Sequence, residues 1–413
     1  MAGLKVRDLW VIVHRWLGLV MTIFLVIVGI TGSLLAFYSE LDGLLSPHLQ
    51  VVSERDMPET DLYILRERAA ALDSQARADF IPLHRVQGHS VVFGLVPKVN
   101  PLTGKGYEIK NTEVFFDPYS GELLGQRYWG AASLAPESLM PFLYRFHYSL
   151  ALPEFMGPTG NYLLGITALL WSIDCFIGLY LTFPTRGTKS PNAKRRNWWQ
   201  KWKPAWLVKV SAGAFRMNFD IHRASGLWVW AMLFVFAWSS VAFNLGEVYV
   251  PVTKAIFGSA RDLDTPKLPQ PMESPKLSWQ DARQIGRALM EVKSHEFGFT
   301  VEYEDSLSLD REHGTYAYAV RSSADVGSGG NCWVTFNADT GDFSTFSWSG
   351  NETTNDTVTR WMVLLHMAHV FGLPMKIFVC LMGFVITALC VTGVYIWWKK
   401  RKARAIQRAR VVA

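Results

Sequence analysis

The chain has 413 residues, half of them hydrophobic and 14% aromatic, with a formal net charge of +6. Its apolar residues are concentrated in long uninterrupted runs, which excludes an ordinary water-soluble globule. The positive charge is local: Arg186–Lys209 carries eight Lys/Arg and no carboxylate, and seven more follow Trp398. Such clusters beside apolar runs are read as contacts with the inner leaflet of a membrane, not as a nucleic-acid surface.

In chain order, residues 1–38 are expected to form transmembrane helix 1, because Trp16–Tyr38 has no Asp, Glu, Lys or Arg and a span needs about 20 apolar residues. The run is too long for a signal-peptide core and is read as a retained helix. Residues 39–139 alternate between a helical stretch at Leu62–Leu72 and strand-like stretches at Ser90–Val96 and Glu113–Phe116. Asp117-Pro118-Tyr119-Ser120-Gly121 then reads as a turn. Residues 140–185 hold an amphipathic segment and helix 2, whose apolar run is broken by Asp174 alone. A basic cytoplasmic loop, 186–217, and helix 3, 218–246, follow. Residues 247–359 repeat the earlier order, with a helix opened by Ser278 and Asp281 at Trp279–Val292. Strands are expected at Phe297–Tyr303, Tyr316–Arg321 and Cys332–Asn337. Residues 360–398 form a second amphipathic segment and helix 4, and 399–413 a basic tail.

The expected fold is therefore a membrane α-helical protein of four transmembrane helices from an internal duplication, carrying two external α+β domains. The positive-inside rule puts both termini and the 186–217 loop in the cytoplasm. Residues 247–360, with 17 Asp/Glu against 10 Lys/Arg, then lie outside together with 39–139.

The duplication is explicit in the residues. His14-Arg15-Trp16-Leu17-Gly18-Leu19 recurs as His222-Arg223-Ala224-Ser225-Gly226-Leu227, 208 positions later. Val114 to Glu122 is echoed by Val334 to Asp342, and Gly178-Leu179-Tyr180 by Gly393-Val394-Tyr395. His147 and His366 each precede an apolar run. Topology puts His14 and His222 at one depth, and His147 and His366 at the other. A pseudo-twofold axis along the membrane normal would set each pair face to face.

Two facing imidazoles in an apolar aromatic pocket suit a b-type haem, so two haems b are expected with His14, His222, His147 and His366 as iron ligands. Zinc would need a fuller donor set than either depth supplies. The absence of a C-x-x-C-H motif excludes covalent c-type attachment. Arg15, Arg223 and Arg145 are candidate partners of the haem propionates, or else reach to lipid headgroups. His369, three residues after His366, is an alternative ligand or a contact for propionate or substrate. Asp174 has either a proton or haem role or a hydrogen bond to a neighbouring helix. Trp198 to Trp206 reads as an interfacial segment. No side chain is assigned a catalytic role beyond the haems.

The H-R-x-x-G-L starts, His147-Tyr148-Ser149-Leu150, Leu365-His366, Phe371-Gly372-Leu373-Pro374 and the Gly-x-Tyr ends together resemble the PepSY-associated transmembrane helix family. The V-x-F-[DN]-x-x-[TS]-G-[ED] turns resemble those of PepSY domains. The resemblance spans nearly the whole chain. It implies two external PepSY-like domains and a place in the bacterial inner membrane with those domains in the periplasm. Similar members are siderophore-iron reductases in which four helices carry two b-type haems. A ferric-siderophore reductase is thus expected, with an unidentified electron donor. The alternatives are a cytochrome b serving a quinone or another periplasmic acceptor, and a haem-free membrane protein that binds peptides or regulates a protease.

Overall fold

The computed structural model describes residues 6–185, 197–263, 265–328, 332–350 and 352–412. Most of the basic stretch before Asn197 lies outside the described residues. The chain divides into two compact units, one helical and one built on sheets.

The helical unit draws on residues 1–37, 144–253 and 359–413. Its long elements are α1 (Val6–Leu35), α3 (Thr159–Thr182) and α7 (Leu373–Val412). All three are long and apolar enough to cross a membrane. At about 1.5 Å per residue, even α3 reaches the roughly 30 Å of a bilayer core. The third apolar run is not one straight helix. It forms α4 (Ala214–Trp228) and α5 (Trp230–Asn244), bent by 70°. The break is at Val229, with φ −112° and ψ 14°, a β-branched residue poorly suited to a helix interior. Among the described residues there are thus three helices able to span a membrane, or four if the bent pair counts as one. Two shorter helices, α2 (Pro136–Ser149) and α6 (Thr354–His366), carry His147 and His366. They begin earlier than the amphipathic segments expected from 140 and 360. The expected basic tail is helical, as the continuation of α7.

Small residues bring α1 and α7 together. A Cβ on Gly383 would collide with the Gly29 carbonyl oxygen, so the backbones approach as only glycine allows. Beside them Ser33 Oγ donates to the Cys380 carbonyl at 2.8 Å. Between α3 and α5, Asn161 donates to the Asn244 side chain at 3.1 Å.

The sheet unit draws on residues 38–143 and 254–358. Its strands of three residues or more are β1 (Phe80–Pro82), β2 (Val91–Gly94), β3 (Glu113–Phe116), β4 (Leu123–Arg127), β5 (Val301–Asp310), β6 (Thr315–Ser322), β7 (Cys332–Asn337) and β8 (Phe343–Ser347). One antiparallel sheet has the order β8-β7-β6-β5-β1 and a second β2-β3-β4, while Ala76–Arg77 pairs with Val96–Pro97 in a small third one. The expectation of two separate domains is corrected here. Strand β1, from the first segment, pairs with β5 of the second, Ile81 opposite Leu307, and both side chains are fully buried. The two segments share one core, in which Leu65, Phe93 and Val114 join Tyr316, Tyr318 and Phe336. Polar contacts reinforce the union. Arg311 grips Asp79 in a bidentate pair at 2.7 and 2.8 Å, and the Arg66 guanidinium lies 4.3 Å from the Trp279 ring centre.

Local structure follows the sequence closely. The helix Leu62–Ala71 starts at the Asp61 cap. The helix Trp279–Phe297 starts at Ser278, whose Oγ accepts from the Asp281 amide at 3.1 Å, and stops at Gly298 with φ 72°. It runs through Phe297, where a strand was expected, and that strand begins only at Val301. In the turn after β3, Asp117 Oδ1 accepts from the Tyr119 and Ser120 amides. In the turn after β7, Asn337 Oδ1 accepts from Asp339 and Thr340. Both turns close on a left-handed glycine, Gly121 or Gly341.

Candidate functional site

Four histidines of the helical unit meet in two pairs. The ring centres of His14 on α1 and His222 on α4 are 6.3 Å apart, with planes at 65°. Those of His147 on α2 and His366 on α6 are 6.5 Å apart, at 84°. A metal–imidazole bond is about 2.0 Å and the ring centre lies about 1.1 Å behind the nitrogen, so two rings facing each other across one metal ion stand about 6.2 Å apart. Both separations match that value.

In each ring Nδ1 is already engaged. His14 Nδ1 donates to Asp174 Oδ1 on α3 at 2.8 Å. His222 Nδ1 lies 3.0 Å from the Leu389 carbonyl oxygen and 3.1 Å from Thr392 Oγ1, both on α7. His147 Nδ1 lies 2.8 Å from Thr31 Oγ1, and His366 Nδ1 2.6 Å from Ser239 Oγ. Engagement of Nδ1 fixes the ring and leaves Nε2 as the nitrogen that can bind a metal. Among the described residues no group of three or more His, Cys, Asp and Glu is placed to hold a metal ion. A metal gripped by either pair would need its other ligands from a cofactor.

Glycines make room for the rings. A Cβ on Gly32 would come within 3.1 Å of His147 Cε1, and one on Gly393 within 3.3 Å of His222 Cε1. Gly178 faces His14 in the same way at 3.5 Å. The His366 ring is instead held by the edges of Phe236 and Phe243, 5.1 and 5.3 Å away.

Around the first pair lies a cavity of about 470 Å³, within the usual range for small-molecule sites. Gly18 and Gly226, each one turn after its histidine, line it together with Asp174 and Trp230. Its charged lining is otherwise cationic: Arg7, Arg15, Arg223 and Lys400. Arg7 donates to the Leu181 carbonyl at 2.6 Å, and Arg223 to Asp220 at 2.8 Å. An anionic cofactor edge would meet these groups.

The second pair sits beside unusual backbone. The described non-glycine residues with positive φ are Leu150, Ala151, Ala368 and Phe371. All four follow His147 or His366 within five residues. Left-handed conformations cost non-glycine residues on the order of 1 kcal/mol or more each and gather at functional sites. Arg145 donates to the Leu152 carbonyl in the first of these connections, at 3.1 Å.

The structure thus brings His14 to His222 and His147 to His366. His369 is exposed, and it is His366 whose ring faces His147. Arg15 and Arg223 line the first cavity. Sequence reasoning passed over Thr31, Ser239, Thr392, Arg7 and Lys400. The first two were within reach: Thr31 and Ser239 are separated by the same 208 positions as His14 and His222.

A family model of the PepSY-associated TM region matches residues 11–400. No curated protein matches the chain.

Proposed function

This chain belongs to the family of PepSY-associated TM regions, and on that premise we propose that it is a di-haem b-type electron-transfer protein of the bacterial inner membrane. It carries electrons from the cytoplasmic side to a ferric siderophore in the periplasm. The observation that carries this reading is the geometry of the two histidine pairs, 6.3 and 6.5 Å between ring centres, with every Nδ1 engaged. Four membrane helices from an internal duplication, with α4 and α5 as one broken span, would frame the pairs, with His14 and His222 on the spans and His147 and His366 on α2 and α6. The positive-inside rule, applied to the basic tail and the 186–209 stretch, supports a cytoplasmic side for the first pair, and the acidic 247–360 segment is read as periplasmic.

Haem b, when bound, supplies a one-electron Fe(III)/Fe(II) couple. His14 and His222 would hold one haem, His147 and His366 the other. Thr31 and Ser239 orient the second pair, and Asp174 and the Leu389 carbonyl orient the first. Arg15 and Arg223 pair with propionates, where a guanidinium gives bidentate contacts. A pair of imidazoles at each site would suit electron transfer better than ligand chemistry. One electron converts a siderophore's Fe(III) to Fe(II), which hard oxygen donors hold far less tightly. The choice of a siderophore as acceptor rests on family analogy.

The test is anaerobic mixing of dithionite-reduced protein, freed of excess reductant, with a ferric hydroxamate siderophore and an Fe(II) chelator. The reading predicts reoxidation of the haem bands and one Fe(II) trapped per electron lost. His366→Ala should slow this at least a hundredfold. Protein that stays reduced with the siderophore but is oxidised by a quinone would overturn the acceptor.

A further inference from the structure

The four imidazoles are not equivalent, and the difference lies in one residue. His14 Nδ1 donates to a carboxylate, Asp174, at 2.8 Å. Asp174 lies on α3, four residues before Gly178, whose position faces His14. Four residues before Gly393, which faces His222 in the same way, stands Leu389. There His222 meets only a backbone carbonyl and the Thr392 hydroxyl, at 3.0 and 3.1 Å. The second pair meets two hydroxyls, Thr31 and Ser239. Among the described residues, His14 alone of the four has a carboxylate partner. That carboxylate is buried, with 9% of its side chain exposed, in a low-dielectric setting where its charge acts strongly on its neighbour.

A carboxylate accepting from Nδ1–H raises the basicity of the opposite ring nitrogen. A more basic ligand favours the ferric over the ferrous state of a bound haem iron. Building on the di-haem reading, we infer that Asp174 is a positioning residue that makes the His14/His222 site the lower-potential of the two. Reduction of that site is disfavoured relative to the His147/His366 site, so an electron entering at the first pair runs downhill to the second. The direction of transfer is therefore written into one side chain. Arg7, Arg15, Arg223 and Lys400 line the same cavity and act in the opposite sense. Replacing Asp174 leaves all four in place, so the substitution isolates the carboxylate.

The experiment is an optical redox titration of the purified full-length protein and of Asp174→Asn. Wild type is expected to show two one-electron waves, and Asp174→Asn to raise the lower midpoint at least tenfold in the reduction equilibrium, about 59 mV, leaving the upper one in place. His147→Ala, lacking the second haem, should retain the lower wave alone; this arm stands even where Asp174→Asn loses its haem. The inference is overturned if Asp174→Asn keeps both haems with both midpoints unmoved, or if His147→Ala retains the higher wave. A wild-type protein without haem would instead remove the di-haem reading itself.

Discussion

At the residue scale, the site depends on groups that hold imidazoles rather than on the imidazoles alone. Thr31 and Ser239 each meet the Nδ1 of a histidine in the second pair. Replacing both, as Thr31→Val with Ser239→Ala, is expected to weaken haem binding at that pair by 10- to 100-fold. Haem titration of the apoprotein would read it as loss of the tighter phase at one site only; two unchanged sites would contradict it. Gly32→Ala puts a Cβ 3.1 Å from His147 Cε1, closer than carbon atoms normally pack. The ring must tilt, and on the di-haem proposal the haem at that pair should show altered low-spin EPR g-values while the one at His14 and His222 does not. These roles were hard to see in the sequence. A histidine at a helix end is conspicuous, whereas a threonine or a glycine inside an apolar run resembles ordinary helix packing. Only the common spacing of Thr31–Ser239 and His14–His222 marks them out.

At the element scale, more was legible. Apolar runs fixed α1, α3 and α7, because length alone separates a span from a strand. Ser278 and Asp281 marked the start of the helix at Trp279, composition marked the one at Leu62, and the Asp117 and Asn337 turns were readable from side chains that mimic backbone acceptors. The bend at Val229 was not readable, since no Pro marks it and Gly226, three residues before it, matches Gly18 inside the unbroken α1. Nor was the pairing of β1 with β5, which joins residues over 200 positions apart, a contact that no local pattern encodes. Within the sheet unit, Arg127 on β4 is buried between Asp42 and Glu113, with bonds of 2.9 Å to each Asp42 oxygen and 2.6 Å to Glu113. Arg127→Ala leaves two carboxylates without their cation and should cost about 3–5 kcal/mol, read as a lowered thermal midpoint in detergent. A change under about 0.5 kcal/mol would show the cluster to be dispensable. Glu304 on β5 gives a pH dependence. Burial disfavours its charge, but hydrogen bonds from Arg283, Arg287 and Tyr318 outweigh burial and hold its carboxyl down at about 2. Its folded value lies below its unfolded one, so its stabilisation is full above about pH 4.5 and is lost as pH falls toward 2. Glu304→Gln should flatten the acid-induced loss of sheet-unit stability between those limits.

At the scale of the whole molecule, the membrane helices and the sheets answer to different physical demands. The helices satisfy their own backbone groups and can sit in lipid. The sheet unit closes a core that neither of its two segments could complete alone, since β1 fills the edge of a sheet built mainly by the other segment. The chain returns to the helical unit after each contribution to the sheet unit. Truncating either segment, for example deleting 77–83 with β1, is therefore expected to unfold the sheet unit as a whole. Limited proteolysis would report this as loss of protected fragments from both segments; protection retained in the second would show that it folds alone.

The proposal that histidine pairs grip iron porphyrins is tested most directly by the optical spectrum and haem-to-protein ratio of the purified chain, oxidised and then reduced with dithionite. The account predicts low-spin b-type bands and two haems per chain, falling to one when any one of His14, His222, His147 and His366 is replaced by alanine. A colourless protein, or haem content indifferent to all four substitutions, would contradict it.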